Sequence, residues 1–506
     1  MDTENLLAIL DLPAAASQEI RSILTDFTAL SPADRNNTRT RIVDKIFPLV
    51  FGDDAATSET AAYETLRKSP WSTNCYLSPH AIVTPSSAAG VAKVLALCRF
   101  LNVQFSIRSG GHLQNPGFTS NEGGVVISMS KLTDLTLSKD GKTADIGLGL
   151  RWLDVYKGLE EQYGVTVTGG RVPTVGVGGL LLGGGLSFQN SEHGLSCMGV
   201  EEYEVVLADS TMVKANRVTN SDLFWALKGG GPNFGIVTKA KMATVSSKVW
   251  AEGRVYSPDV NGRLLDALMK YHEASETDKK ASLVFQSVNE ATVVVFFYCA
   301  PMDNPPVFQC FHDVPFLARL VPPGCRSVYD VVQGFASLNP VNPKCHEMRT
   351  MSSLPDLEVY QAAEQCRLKQ VEAIKEVPGA LLTMVIQPLS TSTMDACNAK
   401  GGTPLGLNAQ NHQWLLLMAD WSDPSDEPIM REACRAVIEE AENVAKRNGT
   451  YLPFVYSNYA SRDQDPLASY GAENVKKLKE IAQKYDPDGV FQRLQYDGWL
   501  LSRSLA

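Results

Sequence analysis

A chain of 506 residues, 44% hydrophobic and 20% charged, has the balance of an ordinary globular protein and is too long for one hydrophobic core. Its net charge of −10, without any Lys/Arg block, lacks the electrostatic footprint of a nucleic-acid binder. No run is long and apolar enough to suggest a membrane span. The ten cysteines are scattered without CxxC spacing, which argues against a zinc site or a small disulfide framework.

In chain order, Met1 to Asn5 is acidic, and the apolar piece Leu6–Leu12 is short and interrupted by Asp11. That is not the pattern of a secretory signal, so a cytoplasmic location with mostly reduced thiols is expected. Residues 1–74 read as a helical extension. Ile20, Ile23, Leu24 and Phe27 recur at helical spacing, and Ser31-Pro32 and Asn36-Asn37 punctuate the helices. Strand–helix alternation follows. Ala81–Thr84 is a strand stopped by Pro85, and Ser86 or Ser87 caps a helix over Ala88–Phe100. Phe105-Ser106-Ile107 ends a strand and leads into the loop Arg108-Ser109-Gly110-Gly111-His112. A turn at Pro116-Gly117 and a strand over Gly124–Ile127 come next. Such a loop offers backbone N–H groups unobstructed by Cβ atoms to a pyrophosphate, a fixed charge at Arg108, and one nucleophilic side chain, His112. A β-turn with a surface histidine is the plain alternative.

A strand over Ala144–Gly149 and a helix over Arg151–Glu161 precede a glycine-dense run, residues 169–185. So many glycines are incompatible with one regular helix or strand, since each interior glycine costs roughly 0.5–1 kcal/mol against alanine. The run reads as a ligand cradle, with tight strand–helix packing as the reason for one or two positions. Gly176 and Gly178 begin a GxGxxG pattern, but Leu181 stands where its third glycine belongs, so the Rossmann fingerprint is not met. A strand over Tyr203–Ala208 and a short helix over Asp222–Leu227 lead to a third glycine loop, Lys228 to Thr238. Three such loops imply one large, extended ligand.

Beyond residue 250 glycine thins out. Leu283–Asn289 and Thr292–Cys299 form a hairpin, and residues 301–350, rich in Pro and Cys, read as irregular or helical. Asp356–Lys375 and Pro428–Arg447 are helices, and Leu381–Gln387 and Gln413–Asp420 are strands. This is an α+β unit with a mostly antiparallel sheet backed by helices. Gln286 and Gln387 lie on strands expected to line a substrate face. Tyr456-Ser457-Asn458-Tyr459, a helix over Ala472–Tyr485 and Asp486–Phe491 close the chain. His346 and His412 complete no metal set, so no metal is expected.

Pro85, the Arg108–His112 loop, the 169–185 run, Val205–Asp209 and Asp222–Thr238 occur in an order that resembles the berberine-bridge-enzyme-like oxidoreductases of the vanillyl-alcohol oxidase superfamily. The resemblance implies an α+β fold with a two-part PCMH-type FAD-binding domain at 75–250. It also implies a substrate domain at 251–450 and a C-terminal element, 451–506, that folds back on the first. It implies FAD held by Arg108, Ser109, Gly110, Gly111, His112, Gly117, Gly170, Thr174, Val175, Gly176, Gly179, Gly184, Gly235, Ile236, Val237 and Asn458. His112 takes the position of the family's covalent link to the flavin. Val172 replaces the cysteine that makes a second link in many relatives, so a singly linked flavin is expected. Cys197 lies on another motif, where the usual Asp-Asn is replaced by Met198-Gly199. Val175 matches the position that gates dioxygen. Tyr459 matches the tyrosine that removes the substrate proton.

The implied activity is an FAD-dependent oxidase that takes a hydride from a small specialised metabolite and reduces dioxygen to hydrogen peroxide. A flavin dehydrogenase with another acceptor, or a non-redox cyclase that keeps FAD structurally, is the alternative. The expected partners are a small molecule and dioxygen, with no nucleic acid and no membrane. The oligomeric state is not encoded legibly.

Overall fold

The computed structural model describes residues 1–334 and 344–505. Its first sheet joins β1 (Ala55–Thr57), β2 (Ala81–Val83), β3 (Phe105–Arg108) and β4 (Val125–Ser128) in the order β1-β2-β4-β3. β2 and β3 both run parallel to β4, and β1 adds an antiparallel edge. The segment before residue 75 is therefore not helical throughout, since it supplies a strand to this sheet. Its helices Thr3–Leu10, Ala14–Ala29 and Pro32–Phe51 bury Leu6, Leu10, Ile20, Leu24 and Phe47 in one core with Val94 and Leu95 of the helix Ala88–Leu101. That helix begins at Ser87, whose hydroxyl accepts from the Gly90 N–H at 3.1 Å, and ends at Asn102 in the left-handed conformation.

A second sheet comprises β5 (Leu135–Leu137), β6 (Thr143–Gly147), β7 (Val165–Val167), β8 (Val200–Val206), β9 (Met212–Asn216) and β10 (Ile236–Ser246). β10 is central, flanked by β6 and β8 and joined at its end by β7.

The third sheet has eight strands. They are β11 (Lys248–Tyr256), β12 (Ala281–Ser287), β13 (Thr292–Tyr298), β14 (Ala318–Ser327), β15 (Cys345–Ser353), β16 (Leu381–Leu389), β17 (His412–Trp421) and β18 (Tyr451–Leu452), in the antiparallel order β14-β11-β13-β12-β16-β17-β15-β18. One face packs Leu382, Met384, Ile386, Leu415 and Leu417 against the helices Asn261–Ser275, Leu357–Ala373 and Glu427–Asn448. The other face looks toward the glycine loops.

Two of these strands overturn the irregular or helical reading of 301–350. β14 is an edge strand whose Pro322 and Pro323 are tolerated because one side needs no ladder bonds, and its register with β11 shifts twice. β15 reads as polar because Glu347 and Arg349 are answered by Ser461 and Asp463. Part of that stretch, 335–343, lies outside the described residues.

The C-terminal residues return to the first half of the chain. In the helix Ala472–Tyr485, Lys484 and Tyr485 reach Asp222 at 2.6 and 2.7 Å, and Phe491 meets Phe105 edge to face.

Candidate active site

The Arg108–His112 loop leaves β3 and runs directly into the glycine run. A methyl group on Gly110 would overlap the Gly176 backbone, and one on Gly176 would overlap Gly110. The two loops therefore touch main chain to main chain. Ser109 pins the junction, its hydroxyl donating to the Leu148 carbonyl at 2.5 Å and accepting from the Gly178 N–H at 3.2 Å.

Most of the run has packing reasons, which corrects the expectation that packing explains only one or two positions. Gly169 and Gly170 lie against Trp152, and Gly183 lies against Asn458. Gly184 and Gly185 have φ of 102° and 83°. Gly179 differs, because a Cβ there would meet nothing.

The third loop joins the second through the Gly231 N–H, which donates to the Leu182 carbonyl at 3.1 Å. Gly235 is crowded by Val205, and Ile236 and Val237 turn their side chains into two different cores. These three residues therefore leave only backbone available to a ligand, with no side chain directed at one. Gly117 sits at φ 92° beside Asp497.

Does this surface suit FAD? Among the described residues, the backbone N–H groups of Gly110, Gly111 and His112 donate to no protein acceptor. No nitrogen of the buried Arg108 guanidinium has a partner, and the same holds for Thr119 Oγ1 and Ser120 Oγ. Buried donors left unpaired cost ~1–3 kcal/mol each. Their concentration around a glycine loop fits a large anionic cofactor with many acceptors.

His112 is held on two sides. Its Nε2 lies 3.1 Å from the Thr174 hydroxyl, and its ring stacks on Trp71 with centroids 4.4 Å apart. Arg151 fixes Thr174 from behind by donating to its carbonyl oxygen. Burial, with the charge of Arg151 and the neighbouring His346, lowers the His112 pKa to about 3, so the ring is neutral at physiological pH. The other face of Trp71 carries the His346 ring at 3.6 Å, and His346 Nδ1 meets Asp420 at 2.7 Å. His346 is thus part of the site's wall, although a lone histidine beside Cys345 gave no such signal. Val172, in the turn before Thr174, has no group that can bond a flavin. Cys197 is enclosed in the core, its thiol directed at the Lys228 carbonyl.

Tyr459 is positioned from both neighbours. Asn458 donates to the Leu180 carbonyl at 3.3 Å and to the Tyr456 hydroxyl at 3.0 Å. The Ala460 carbonyl accepts from Gln114 and Asn115, each at 3.0 Å. The Tyr459 hydroxyl accepts from Arg171 at 3.0 Å and donates to Gln387 Oε1 at 3.2 Å, and Arg171 also donates to Gln387. The arginine beside the substituted cysteine position was not singled out in the sequence, yet it meets the candidate base directly. Gln387, on β16, reaches this cluster, and Gln286, opposite Val385 on β12, shares its face of the sheet.

Next to it the third sheet presents an apolar surface. Met348, Val385 and Leu416 cluster with Val284, Met418, Trp71 and Tyr459. Val385 pairs with Leu416 across β16 and β17, and Met348 with Met418 across β15 and β17.

Comparison with known proteins accords with this geometry. A model of the FAD binding domain matches residues 79–216, and one of berberine and berberine-like proteins matches 455–495. Fold and site together define an FAD-linked oxidoreductase. The chain belongs to the berberine-bridge-like family of FAD-dependent oxidoreductases. It is 38% identical over 469 residues to an FAD-dependent monooxygenase of Arthrobotrys oligospora, covering 92% of this chain and 90% of that one. It is 32% identical to the bifunctional solanapyrone synthase of Alternaria solani, over 88% and 86% of the two chains. In fold it resembles 6-hydroxy-D-nicotine oxidase of Arthrobacter nicotinovorans, with a TM-score of 0.73 at 23% identity over 88% and 97% of the chains. The glucooligosaccharide oxidase of Acremonium strictum, which carries a 6-S-cysteinyl, 8α-N1-histidyl FAD, gives 0.73 at 20% identity over 86% and 95%.

Proposed function

We propose that this enzyme is an oxidase that dehydrogenates, or oxidatively cyclises, a small apolar metabolite bearing one oxygen or nitrogen function. The carrying observation is the Arg171–Gln387–Tyr459 cluster beside an apolar sheet face. Bound FAD would supply the two-electron acceptor and, on re-oxidation, would reduce dioxygen to hydrogen peroxide. The 108–112 loop, Thr174 to Gly179 and Asn458 would hold it, with one covalent link at His112 and none at Val172.

Tyr459 takes the substrate proton. A phenol is a usable base only when a cation or donor supports its phenolate, and Arg171 is that donor. Gln387 keeps the two groups in register, and its Nε2, buried and without a partner, is a donor for a substrate oxygen. Val284, Val385, Leu416, Met348 and Met418 bury the apolar body of the substrate and exclude water. A sugar would leave its hydroxyls unpaired against such a surface, at a cost of ~1–3 kcal/mol for each group left without a bond. Val175 is the small side chain that leaves dioxygen a path.

The test is anaerobic mixing with apolar alcohols, amines and phenols, and with oligosaccharides, while flavin absorbance is followed. Bleaching by the apolar set alone, and peroxide on admission of air, supports this reading. Bleaching without oxygen uptake identifies a dehydrogenase. Product without bleaching identifies a cyclase that keeps FAD structurally.

A further inference from the structure

A nucleophile that must meet one carbon atom gains most when its ring plane and its rotation about the side-chain bond are both fixed beforehand. At His112 two contacts do this separately. Trp71, 4.4 Å away with its plane tilted only 12°, fixes the ring plane. The Thr174 hydroxyl, 3.1 Å from Nε2, fixes the rotation.

Neither partner is free to drift. The Trp71 N–H donates to the Gly111 carbonyl at 2.9 Å, one residue before His112. The far face of Trp71 lies on His346, which Asp420 holds at 2.7 Å. Next to it, the Ser72 hydroxyl accepts from the His346 N–H at 3.1 Å, so the 71–72 segment is tied to both halves of the site. Thr174 is held through its carbonyl by Arg151.

We infer that Trp71 and Thr174 form a positioning device for self-attachment of the flavin, presenting Nδ1 of His112 as the attacking atom. The inference rests on the reading that His112 carries the covalent link. Nε2–H donating to Thr174 is the tautomer that leaves the Nδ1 lone pair for the attack.

Attachment forms one bond between Nδ1 and the 8α-methyl carbon and breaks one C–H bond of that methyl. The methyl hydrogen and the imidazole Nε2 hydrogen leave as protons. The two electrons of the C–H bond pass to the ring system and then to dioxygen, which takes up both protons as hydrogen peroxide. Once Nε2 has lost its proton, the Thr174 hydroxyl turns from acceptor to donor. A hydroxyl serves both states and a methyl serves neither.

The experiment uses the full-length enzyme as purified. Bound FAD is measured by absorbance, and the linked fraction by the colour that stays with acid-precipitated protein. The variants are Thr174→Val, Thr174→Ser, Trp71→Leu and His112→Ala. The inference expects His112→Ala to bind FAD and release all of it in acid. Of the FAD they bind, Thr174→Val and Trp71→Leu should show a linked-to-unlinked ratio about tenfold below wild type, the effect of losing one hydrogen bond or stacking contact. Thr174→Ser should restore attachment. A linked fraction of bound FAD in Thr174→Val and Trp71→Leu equal to that of the wild type overturns the positioning role alone. Acid release from the wild type, or retention by His112→Ala, overturns the linkage reading and the inference with it.

Discussion

Replacing Arg171 with methionine removes the cation from the Tyr459 oxygen while keeping most of the side-chain volume. At 3.0 Å, a guanidinium–phenolate pair is worth about 5 kcal/mol at an effective dielectric constant of ~20. Both side chains keep partial contact with solvent, which screens the pair, and the guanidinium is shared with Gln387 and lies over the Phe188 ring. The measured range for hydrogen bonds to charged groups, ~1.5–3 kcal/mol, is the better guide and translates to roughly 10- to 150-fold in rate. The assay is stopped-flow bleaching of the flavin at saturating substrate without oxygen, repeated across pH. The variant should be slower by that factor at neutral pH. Arg171→Lys, which keeps the charge but loses the planar fork, should fall between the two. A bleaching rate for Arg171→Met within twofold of wild type throughout the pH range would refute the role assigned to Arg171.

Three further outcomes are expected. Gly110→Ala drives a methyl into the Gly176 main chain, so it should lower the melting temperature and the yield of FAD-loaded protein, with a cost of at least ~1–3 kcal/mol. Met418→Glu puts a charge on the apolar sheet face and should raise the substrate KM by more than about tenfold, while flavin content stays normal. Stability should fall on acidification below pH ~6.5. His272, enclosed between Tyr360 and Asn411, is lowered by burial to about 4, so between those values the unfolded chain takes up a proton that the folded chain refuses. Thermal melts of His272→Asn from pH 7 to 4.5 should show a shallower decline than wild type, and parallel curves would exclude this account.

The glycine loops and the β-branched strands made the flavin half legible, because backbone constraints leave local marks in a sequence. Tyr459 was legible through its place beside Asn458 in a resembled motif. Arg171, Trp71 and His346 were not. Each acts on a partner far away along the chain, Arg171 on Gln387 and Tyr459, Trp71 on His346, and no local pattern encodes such a meeting. β15 was lost because it buries Glu347 against Ser461 and carries Arg349 held by the exposed Asp463, which erases the alternation of apolar and polar positions. The packing of Gly110 on Gly176 was also hidden, since a glycine that admits a neighbouring chain looks the same in sequence as one that admits a ligand.

The anchoring of Tyr459 divides the labour between the two halves of the molecule. Its neighbours are tied to Leu180, Gln114 and Asn115, all in the flavin half, whereas the apolar surface proposed for a substrate body belongs to the eight-stranded sheet. Gln387 is the sheet residue that reaches across to the Tyr459 hydroxyl. Inward positions such as Val385, Leu416 and Met418 can therefore be exchanged while the backbone ties on either side of Tyr459 stay in place. On the function proposed above, a lineage built on this frame can change what it oxidises by repainting one wall, while the frame around Tyr459 stays as it is.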